Sequence, residues 1–171
     1  GRILVAGTSN NSSNNIDMAI WRYKSDGTLD TTFGGGDGIV THHNAAGGDD
    51  NDNGLSIAID SNDRILVAGS SYSASNNYDM TIWRYNGDGN LDTSFDSGGF
   101  VTHNSAAGGD NRDEGTSIAL DSDGRILITG YSLNSSNNED MAIWRYDSDG
   151  NLDTSFGSGG FVTHGSAAGG D

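Results

Sequence analysis

Three acidic turns contain aspartate side chains that are well placed to bind a cation. The last one reads DSDGNLD from 147 to 153, so that carboxylates alternate around a glycine. Loops of this kind wrap oxygen ligands around Ca²⁺, which prefers carboxylate and carbonyl oxygens. The alternative is a metal-free hairpin turn, in which aspartate side chains accept hydrogen bonds from backbone amides. The calcium hypothesis predicts ligands at Asp26, Asp30, Asp88, Asp92, Asp147, Asp149 and Asp153.

A second set of carboxylates lies in two corresponding segments, 49–53 and 110–114. Bound Ca²⁺ would relieve the repulsion among them, and it is the one cofactor that the sequence predicts. Arg112, inside the second segment, offers the alternative, because an internal counter-charge also reduces repulsion. The calcium hypothesis predicts further ligands at Asp49, Asp50, Asp52, Asp110 and Asp113.

No catalytic constellation is visible in the sequence. It contains no cysteine, no nucleophile elbow, no phosphate-binding loop and no His-Glu zinc motif. His42, His103 and His164 each follow a threonine, and they could form a ring that binds a transition metal or lie singly at strand ends on the surface. We therefore expect no catalytic residues, and a protein that is not an enzyme.

Tryptophan and arginine recur together in three strand-like segments. A large aromatic side chain at the same place in every unit is typical of packing between units, although the rings could also stack on sugars. An arginine inside an apolar strand is expected to form an internal pair with a repeated aspartate. We therefore predict structural roles for Trp21, Trp83, Trp144, Arg22, Arg84 and Arg145.

These segments belong to a repeat, since Trp83 lies 62 residues after Trp21 and Trp144 lies 61 residues after Trp83. The units span 1–62, 63–123 and 124–171, and the third lacks the last strand segment of the others. Self-similarity at such a period indicates a repeat architecture, in which each unit buries its apolar face against a neighbour.

Short β-branched runs bounded by glycine, aspartate and asparagine predict the strands. In the second unit they cover 64–69, 80–85, 100–103 and 116–121. No segment has the apolar spacing of an amphipathic helix. We predict an all-β fold of tandem four-stranded antiparallel blades, a β-propeller-like repeat array of three units with the third incomplete. Because a propeller closes with about four to eight blades, further repeats of the same polypeptide or a second copy should continue the array.

The charge balance restricts the partners. The net charge is −16, from 24 acidic and eight basic residues, which disfavours binding to nucleic acid or to anionic lipid. There is no apolar run of about 18 residues that could insert into a membrane. A surface rich in aspartate suits a medium containing salt and divalent cations, which screen its repulsion. We therefore expect an extracellular or cell-surface protein of bacteria.

The repeated motifs resemble the bacterial delta-60 repeat. The resemblance is carried by DGRILITG at 123–130, by AIWRY at 142–146, and by DGNLDTSFG at 149–157 followed by GGFVT at 159–163, and it covers all three units. It implies tandem β-propeller-like repeats of the kind found in large secreted or surface proteins. The resemblance brings no catalytic residues.

Two functions from different classes fit these observations. The first is a structural or assembly protein, such as part of a surface fibre or filament, because segments 91–110 and 152–171 are nearly identical and a uniform interface requires uniform units. The alternative is a binding propeller for a glycan or protein ligand, completed by further repeats or by a second chain.

Overall fold

The structure is a computed structural model, and it describes residues 1–167 apart from the side chains of Asp49 and Asp50. Within these residues there are only strands and turns, which confirms the all-β prediction, and no helix is long and apolar enough to cross a membrane. The strands are β1 (Arg2–Asn10), β2 (Ile16–Lys24), β3 (Ile39–His42), β4 (Gly47–Ile59), β5 (Ile65–Ser73), β6 (Tyr78–Tyr85), β7 (Phe100–His103), β8 (Gly108–Leu120), β9 (Ile126–Asn134), β10 (Glu139–Tyr146) and β11 (Phe161–His164).

The strands form three antiparallel sheets, which we call the first, second and third blades. The first blade has the order β1-β2-β3, the second β4-β5-β6-β7, and the third β8-β9-β10-β11. The sheets are one strand out of phase with the sequence units. The segment 116–121, the last predicted strand of unit two, is the end of β8, which pairs with β9 at the start of the third blade. In the described residues, the three-stranded blade is therefore the first one.

The turns that connect the first two strands of the second and third blades lie at the boundaries between repeat units. The boundaries at 62/63 and 123/124 fall in the β4–β5 and β8–β9 turns, where Asp63 and Gly124 have φ angles of 59° and 77°. Glycine and aspartate tolerate this conformation better than most residues, so these turns are encoded locally. Strands β4 and β8 also contact each other, so the blades converge at these edges.

Alternation along β6 gives each blade two different faces. Met80, Ile82 and Arg84 point to one face, and Trp83 and Tyr85 point to the other. The first set packs with residues of the following blade and the second set packs with residues of the preceding blade. We call these the forward face and the rear face of a blade.

The hydrophobic core lies between the blades, in two clusters that share a set of equivalent positions. Between the first and second blades, Met18, Ile20 and Phe33 of the forward face meet Trp83 and Tyr85 of the rear face. Between the second and third blades, the equivalent residues Met80, Ile82 and Phe95 meet Trp144 and Tyr146. Because each blade buries at least one face against a neighbouring blade, blade stacking supplies the core, as the repeat predicted.

Polar contacts lock each turn onto the blade before it. Arg22 donates a hydrogen bond to the carbonyl oxygen of Gly87, and the backbone N–H of Gly34 donates to the carbonyl oxygen of Asp88. One repeat later, Arg84 donates to Ser148, and the N–H of Asp96 donates to Asp149.

The closest approach of this turn to the preceding blade is at a glycine. A Cβ atom on Gly89, which has a φ of 89°, would lie 2.7 Å from the ring of Phe33. Gly150, with a φ of 94°, stands in the same relation to Phe95, where the distance would be 2.9 Å. Glycine is therefore required at this position both for its positive φ and for the close approach between blades.

Candidate functional site

Two open clefts lie between neighbouring blades, one on each side of the second blade. One wall of each cleft is the last strand of the earlier blade, β3 or β7, and the other wall is the turn after β6 or β10 of the later blade. Each cleft has a volume of about 450 Å³. This size falls within the roughly 300–1,000 Å³ of small-molecule sites.

The two clefts are built from equivalent positions of the repeat. The first cleft is lined by Thr41, His42, Tyr85, Asn90 and Leu91, and the second by Thr102, His103, Tyr146, Asn151 and Leu152. The lining side chains come from two consecutive blades in each case. Each cleft is therefore a product of blade stacking and cannot exist in a single repeat.

A histidine forms part of the wall in each cleft, and its ring is fixed by aromatic contacts across the blades. His42 lies 6.2 Å from Trp83 and 5.3 Å from Phe100 between ring centroids. His103 lies 6.1 Å from Trp144 and 5.2 Å from Phe161.

Burial keeps both imidazoles neutral. It lowers the pKa of His42, together with the charge of His43, to about 4, and it also lowers the pKa of His103. At neutral pH each imidazole is therefore uncharged and offers one hydrogen-bond donor and one acceptor.

The tyrosine in the wall of each cleft has a buried hydroxyl without a hydrogen-bond partner in the described residues. The side chains of Tyr85 and Tyr146 are only 2% and 3% exposed, and in the described residues neither hydroxyl has a hydrogen-bond partner. The indole N–H groups of Trp83 and Trp144, beside the histidines, also lack partners. Burial raises the pKa of both tyrosines, so the phenols stay protonated. A buried donor without a partner costs about 1–3 kcal/mol, which a ligand could recover.

The clefts differ at one corner. The second cleft is lined there by Asp96 and Ser97, where the first has Gly34 and Gly35. Asp96 has a φ of 47°, in the region where glycine is favoured, and its equivalents Gly34 and Gly157 have φ angles of 66° and 55°. The second cleft thus carries a carboxylate at a position where the backbone favours glycine.

The groups in these clefts can form hydrogen bonds with a ligand. In the described residues, each cleft offers imidazole, phenol, amide and hydroxyl groups beside apolar edges, and each also has one carboxylate in its lining, Asp37 in the first and Asp96 in the second. A neutral ligand with several hydroxyl groups matches this set of donors and acceptors.

The repeated arginines lie in a different place, inside the forward face. Nε of Arg22, Arg84 and Arg145 donates to the carboxylates of Asp30, Asp92 and Asp153 at 3.0, 2.8 and 2.8 Å. The guanidinium groups also stack 4.5–4.6 Å above the rings of Phe33, Phe95 and Phe156. These contacts join strand, turn and neighbouring blade, which is a structural arrangement.

The repeated tryptophans lie on the rear faces. Trp83 and Trp144 are fully buried between blades, whereas Trp21 of the first blade is partly exposed. In the second and third blades the rings therefore pack between blades and are not available for stacking on a sugar.

The acidic turns use their carboxylates for backbone capping. One oxygen of Asp147 accepts hydrogen bonds from the N–H groups of Asp149 and Asn151, each at 2.9 Å. Asp26 accepts from the N–H and the hydroxyl of Thr28. Asp88 donates its N–H to Asn86, which stands in the place of Asp147. These turns thus have the geometry of the metal-free alternative.

The second acidic set ties down the loops between blades. Asp52 accepts from the N–H of Asn44 at 2.7 Å, and Asp113 accepts from the N–H of Ser105 at 2.9 Å. Asp110 accepts from the side chain of Asn104. Asp49 and Asp50 were predicted as ligands too, but their side chains lie outside the described residues.

No metal-binding group is assembled in the part of the chain that the structure describes. Nowhere there do three or more histidine, aspartate or glutamate side chains converge as they would around an ion. His42 and His103 lie in separate clefts rather than in a ring. Calcium binding by the acidic segments stays a prediction.

The second blade lacks a hydrogen bond that both other blades make to the aspartate equivalent to Asp79. In the other blades Asn11 and Asn134 donate side-chain hydrogen bonds to Asp17 and Asp140, at 2.9 and 3.0 Å. The equivalent residue in the second blade is Ser73. One carboxylate oxygen of Asp79 is buried without a partner, and burial, with the charges of Asp113 and Asp110, raises its pKa to about 6.

Ser73→Asn should therefore stabilise the protein, by about 1 kcal/mol, since it supplies the donor found in both sister blades. The asparagine oxygen can also accept from backbone amides of the following turn, as Asn134 does. The pKa of the Asp79 carboxyl is raised in the folded protein, so the folded state becomes less stable as the pH rises from the ordinary pKa of 3.8 through about 6. The gain should therefore be larger in urea melts at pH 7 than at pH 4, and an equal gain at both would contradict the mechanism.

The sequence did not indicate the tyrosines, asparagines and Asp96 as site residues. His103 and Tyr146 are far apart in the sequence and belong to different units, so no local spacing connects them. The available signal was their recurrence at the repeat period, combined with the stacking of one unit on the next.

Comparison with known proteins supports the propeller assignment. The chain matches the family described as domain of unknown function (DUF5122) beta-propeller over residues 1–33, 61–95 and 122–156. Residues 106–136 match a family described as beta-propeller repeat. Both matches agree with the resemblance to delta-60 repeats. No curated protein matches the chain.

One solved structure with a similar fold is a fucose lectin from Kordia zhangzhouensis in complex with methyl-fucoside. The likeness covers 96% of this chain and 92% of the lectin chain, with a TM-score of 0.50 and 13% sequence identity. At this identity the likeness shows the fold alone.

Proposed function

This chain belongs to the family of DUF5122 beta-propeller domains, and we propose from that premise that it is a non-enzymatic carbohydrate-binding module whose ligands occupy the clefts between blades. The observation that carries the proposal is the buried, unpartnered tyrosine hydroxyl at the same place in both clefts. Buried polar groups are nearly always hydrogen-bonded in proteins, and exceptions require an explanation. These hydroxyls are buried behind the cleft wall, so a ligand hydroxyl would complete the missing bond after a small shift of the wall side chains.

The electrostatic character of the chain favours a neutral ligand. A net charge of −16 repels phosphorylated or carboxylated ligands. The neutral imidazole and the amide of each cleft can both donate to and accept from sugar hydroxyls, while leucine and the aromatic edges suit the apolar side of a sugar ring. Fucose is a neutral sugar with one apolar methyl group, and the ligand of the solved lectin is therefore the first probe to test.

The repetition of the cleft also supports binding to glycans. Two equivalent sites on one rigid array can engage two residues of a polymer or a dense surface, so weak single-site affinities combine into stronger overall binding. Glycans of this kind are displayed outside cells, which agrees with an extracellular or cell-surface location. We place the protein there on this argument.

A structural or assembly role is the second candidate. Its support is the exposed apolar surface at both ends of the blade array, where Ile3 and Met141 are 51% and 44% exposed. An exposed patch of this kind marks an interaction surface. A filament would use these ends for continuation, and a sugar-binding module could use them as well.

Tyr85→Phe and Tyr146→Phe test the binding proposal. Each change should lower the affinity for methyl-fucoside at its cleft about tenfold, which corresponds to one lost hydrogen bond of about 1.4 kcal/mol. Each should also leave the free energy of unfolding unchanged or raise it, because the variant no longer buries an unpartnered hydroxyl. Isothermal titration and urea unfolding measure the two effects.

Tyr72→Phe is the matched control, since Tyr72 lies outside both clefts and packs edge-on against Tyr78. It should not change the affinity. If neither cleft variant alters binding of any methyl glycoside in a panel of neutral sugars, or if no such sugar binds the wild-type chain, the proposed function is wrong.

A further inference from the structure

We propose that two copies of this chain bind head to tail, with the forward face of the third blade on the rear face of the first, and that each junction forms a third sugar-binding cleft. The proposed association follows from the contacts between blades and does not depend on any ligand. The identity of the ligand in the new cleft rests on the proposed function.

The rear face of the first blade is an uncovered copy of a face that is buried elsewhere. Ile3 and Val5 on β1 are 51% and 43% exposed, although their equivalents Ile65 and Val67 on β5 are fully buried against the preceding blade. Trp21 is partly exposed, in contrast to the fully buried Trp83. This face has the residues of a blade interface, and in the part of the chain that the structure describes no blade covers it.

The forward face of the third blade is the complementary surface. Met141 is 44% exposed, whereas Met18 and Met80, its equivalents, are fully buried against the following blade. Ile143 and Phe156 are also only partly buried there. The side chains that cover Met18 and Met80 inside the chain are of the same types that the first blade presents on its rear face. The two ends are therefore complementary in the same way as neighbouring blades, in which a forward face packs on a rear face.

The polar contacts of the internal interfaces can be extended to the junction. Inside the chain, Arg22 and Arg84 donate to the carbonyl oxygens of Gly87 and Ser148 in the next blade. By the same register, Arg145 of one copy would donate to the carbonyl oxygen of Ser25 in the second copy. The N–H of Gly157 would likewise donate to Asp26, as Asp96 does to Asp149.

Each end also carries half of a cleft. The third blade holds Thr163 and His164, which are equivalent to Thr102 and His103 of the second cleft. The first blade holds Tyr23 and Thr28, in the places of Tyr146 and Asn151. The two sugar-binding clefts proposed above each take one wall from each of two blades, so each half at an end has only one of the two walls. Head-to-tail contact would bring the halves together.

A heterologous contact of this kind closes into a ring or continues as a fibre. Two copies supply six blades, within the roughly four to eight of closed propellers, and we therefore infer a ring of two copies. The net charge of −16 on each copy opposes association, so screening by salt should strengthen it.

A complementation experiment tests the junction. Ile3→Asp disables the rear face of the first blade, and Met141→Asp disables the forward face of the third. Both side chains are exposed, so each variant should fold. By sedimentation in buffered salt at high protein concentration, the wild-type chain should form dimers, each variant alone should be monomeric, and an equimolar mixture should regain dimers, because the mixture still contains one intact pair of faces.

Leu55→Asp is the control. Leu55 is 44% exposed on β4 of the second blade, and neither open face belongs to this blade, so this variant should dimerise like the wild type. A wild-type chain that stays monomeric, variants that still dimerise alone, or a mixture that does not regain dimers would each overturn the head-to-tail contact. Long fibres in place of dimers would overturn the ring of two copies.

The stoichiometry of methyl-fucoside binding tests the third cleft separately. Monomeric Ile3→Asp should bind two sugars per chain, and the wild-type ring should bind three per chain. Two sugars per chain in both states would overturn the composite cleft while leaving the proposed function in place. If neither Ile3→Asp nor the wild type binds the sugar although the wild type forms dimers, the proposed function and the new cleft are wrong but the association is not.

Discussion

Replacing Trp83 with alanine is expected to lower the free energy of unfolding by about 3–5 kcal/mol. The indole is fully buried between the first and second blades and packs with Met18, Ile20 and Phe33 of the facing blade. Its removal loses the transfer free energy of a large aromatic side chain and leaves a cavity that rigid strands cannot close. Urea unfolding followed by circular dichroism should show a lower midpoint.

Trp21→Ala is the matched control for this prediction. Trp21 has the same neighbours in sequence and the same place in its blade, but it lies on the open rear face and is partly exposed. At a concentration where the chain is monomeric, its loss should cost clearly less. An equal loss for the two variants would mean that burial between blades is not what makes the repeated tryptophan important.

This contrast also shows why the fold could be predicted from the sequence and the blade boundaries could not. Strict alternation in segments such as 80–85, with Asp-Gly turns between apolar runs, is a local signal that β6 and the hairpins obey. The assignment of 116–121 to a sheet is not local, because that strand can close one meander or open the next. Its pairing with β9 places it in the third blade.

The candidate site could be predicted less well for a related reason. Asp147 and Asp153 were predicted as calcium ligands, and of the two only Asp153 recurs in every unit. Composition does not distinguish a metal ligand from a residue that caps a turn. In the structure one caps a backbone turn and the other pairs with Arg145. The clefts were not predicted, since Thr102 and Tyr146 come together only when one blade stacks on the next.

The differences between the blades follow the same physics. Asp79 lacks the asparagine donor that its sister residues have, and Asp96 occupies a backbone conformation where its equivalents are glycine. Neither departure improves the stability of the second blade. Sequences usually depart from local consistency at functional or strained positions, and Asp96 lines the second cleft.

Asp92→Ala is expected to destabilise the chain about as strongly as Trp83→Ala, by roughly 3–5 kcal/mol. Arg84 is only 1% exposed, and the Asp92 carboxylate 2.8 Å away is its counter-charge. Without this carboxylate the guanidinium is left with Ser94, the carbonyl oxygen of Ser148 and the ring of Phe95. These neutral groups do not compensate a buried charge, so the loss should be large in urea melts at pH 7.

Two further variants separate this mechanism from a general loss of packing. Asp153→Ala removes the equivalent carboxylate beside Arg145, which is 19% exposed, so water can solvate the charge and the loss should be nearer 1 kcal/mol. The double variant Arg84→Met with Asp92→Ala removes both charges and should recover most of the stability. If the double variant is no more stable than Asp92→Ala, the unpaired charge is not the cause.

The dependence on pH provides the last test of the pair. Burial alone would raise the pKa of Asp92, but the hydrogen bonds from Ser94 and the Arg84 guanidinium outweigh it, and the pKa lies below its ordinary 3.8. A depressed folded pKa means that the unfolded chain binds more protons, so the stabilisation is complete above 3.8 and is lost as the pH falls through the lowered pKa. The stability difference between the wild type and Asp92→Ala should therefore shrink on acidification below that value. A difference that stays constant down to strongly acidic pH would show that the charge of Asp92 contributes nothing, and that its role in holding the turn against the next blade is purely steric.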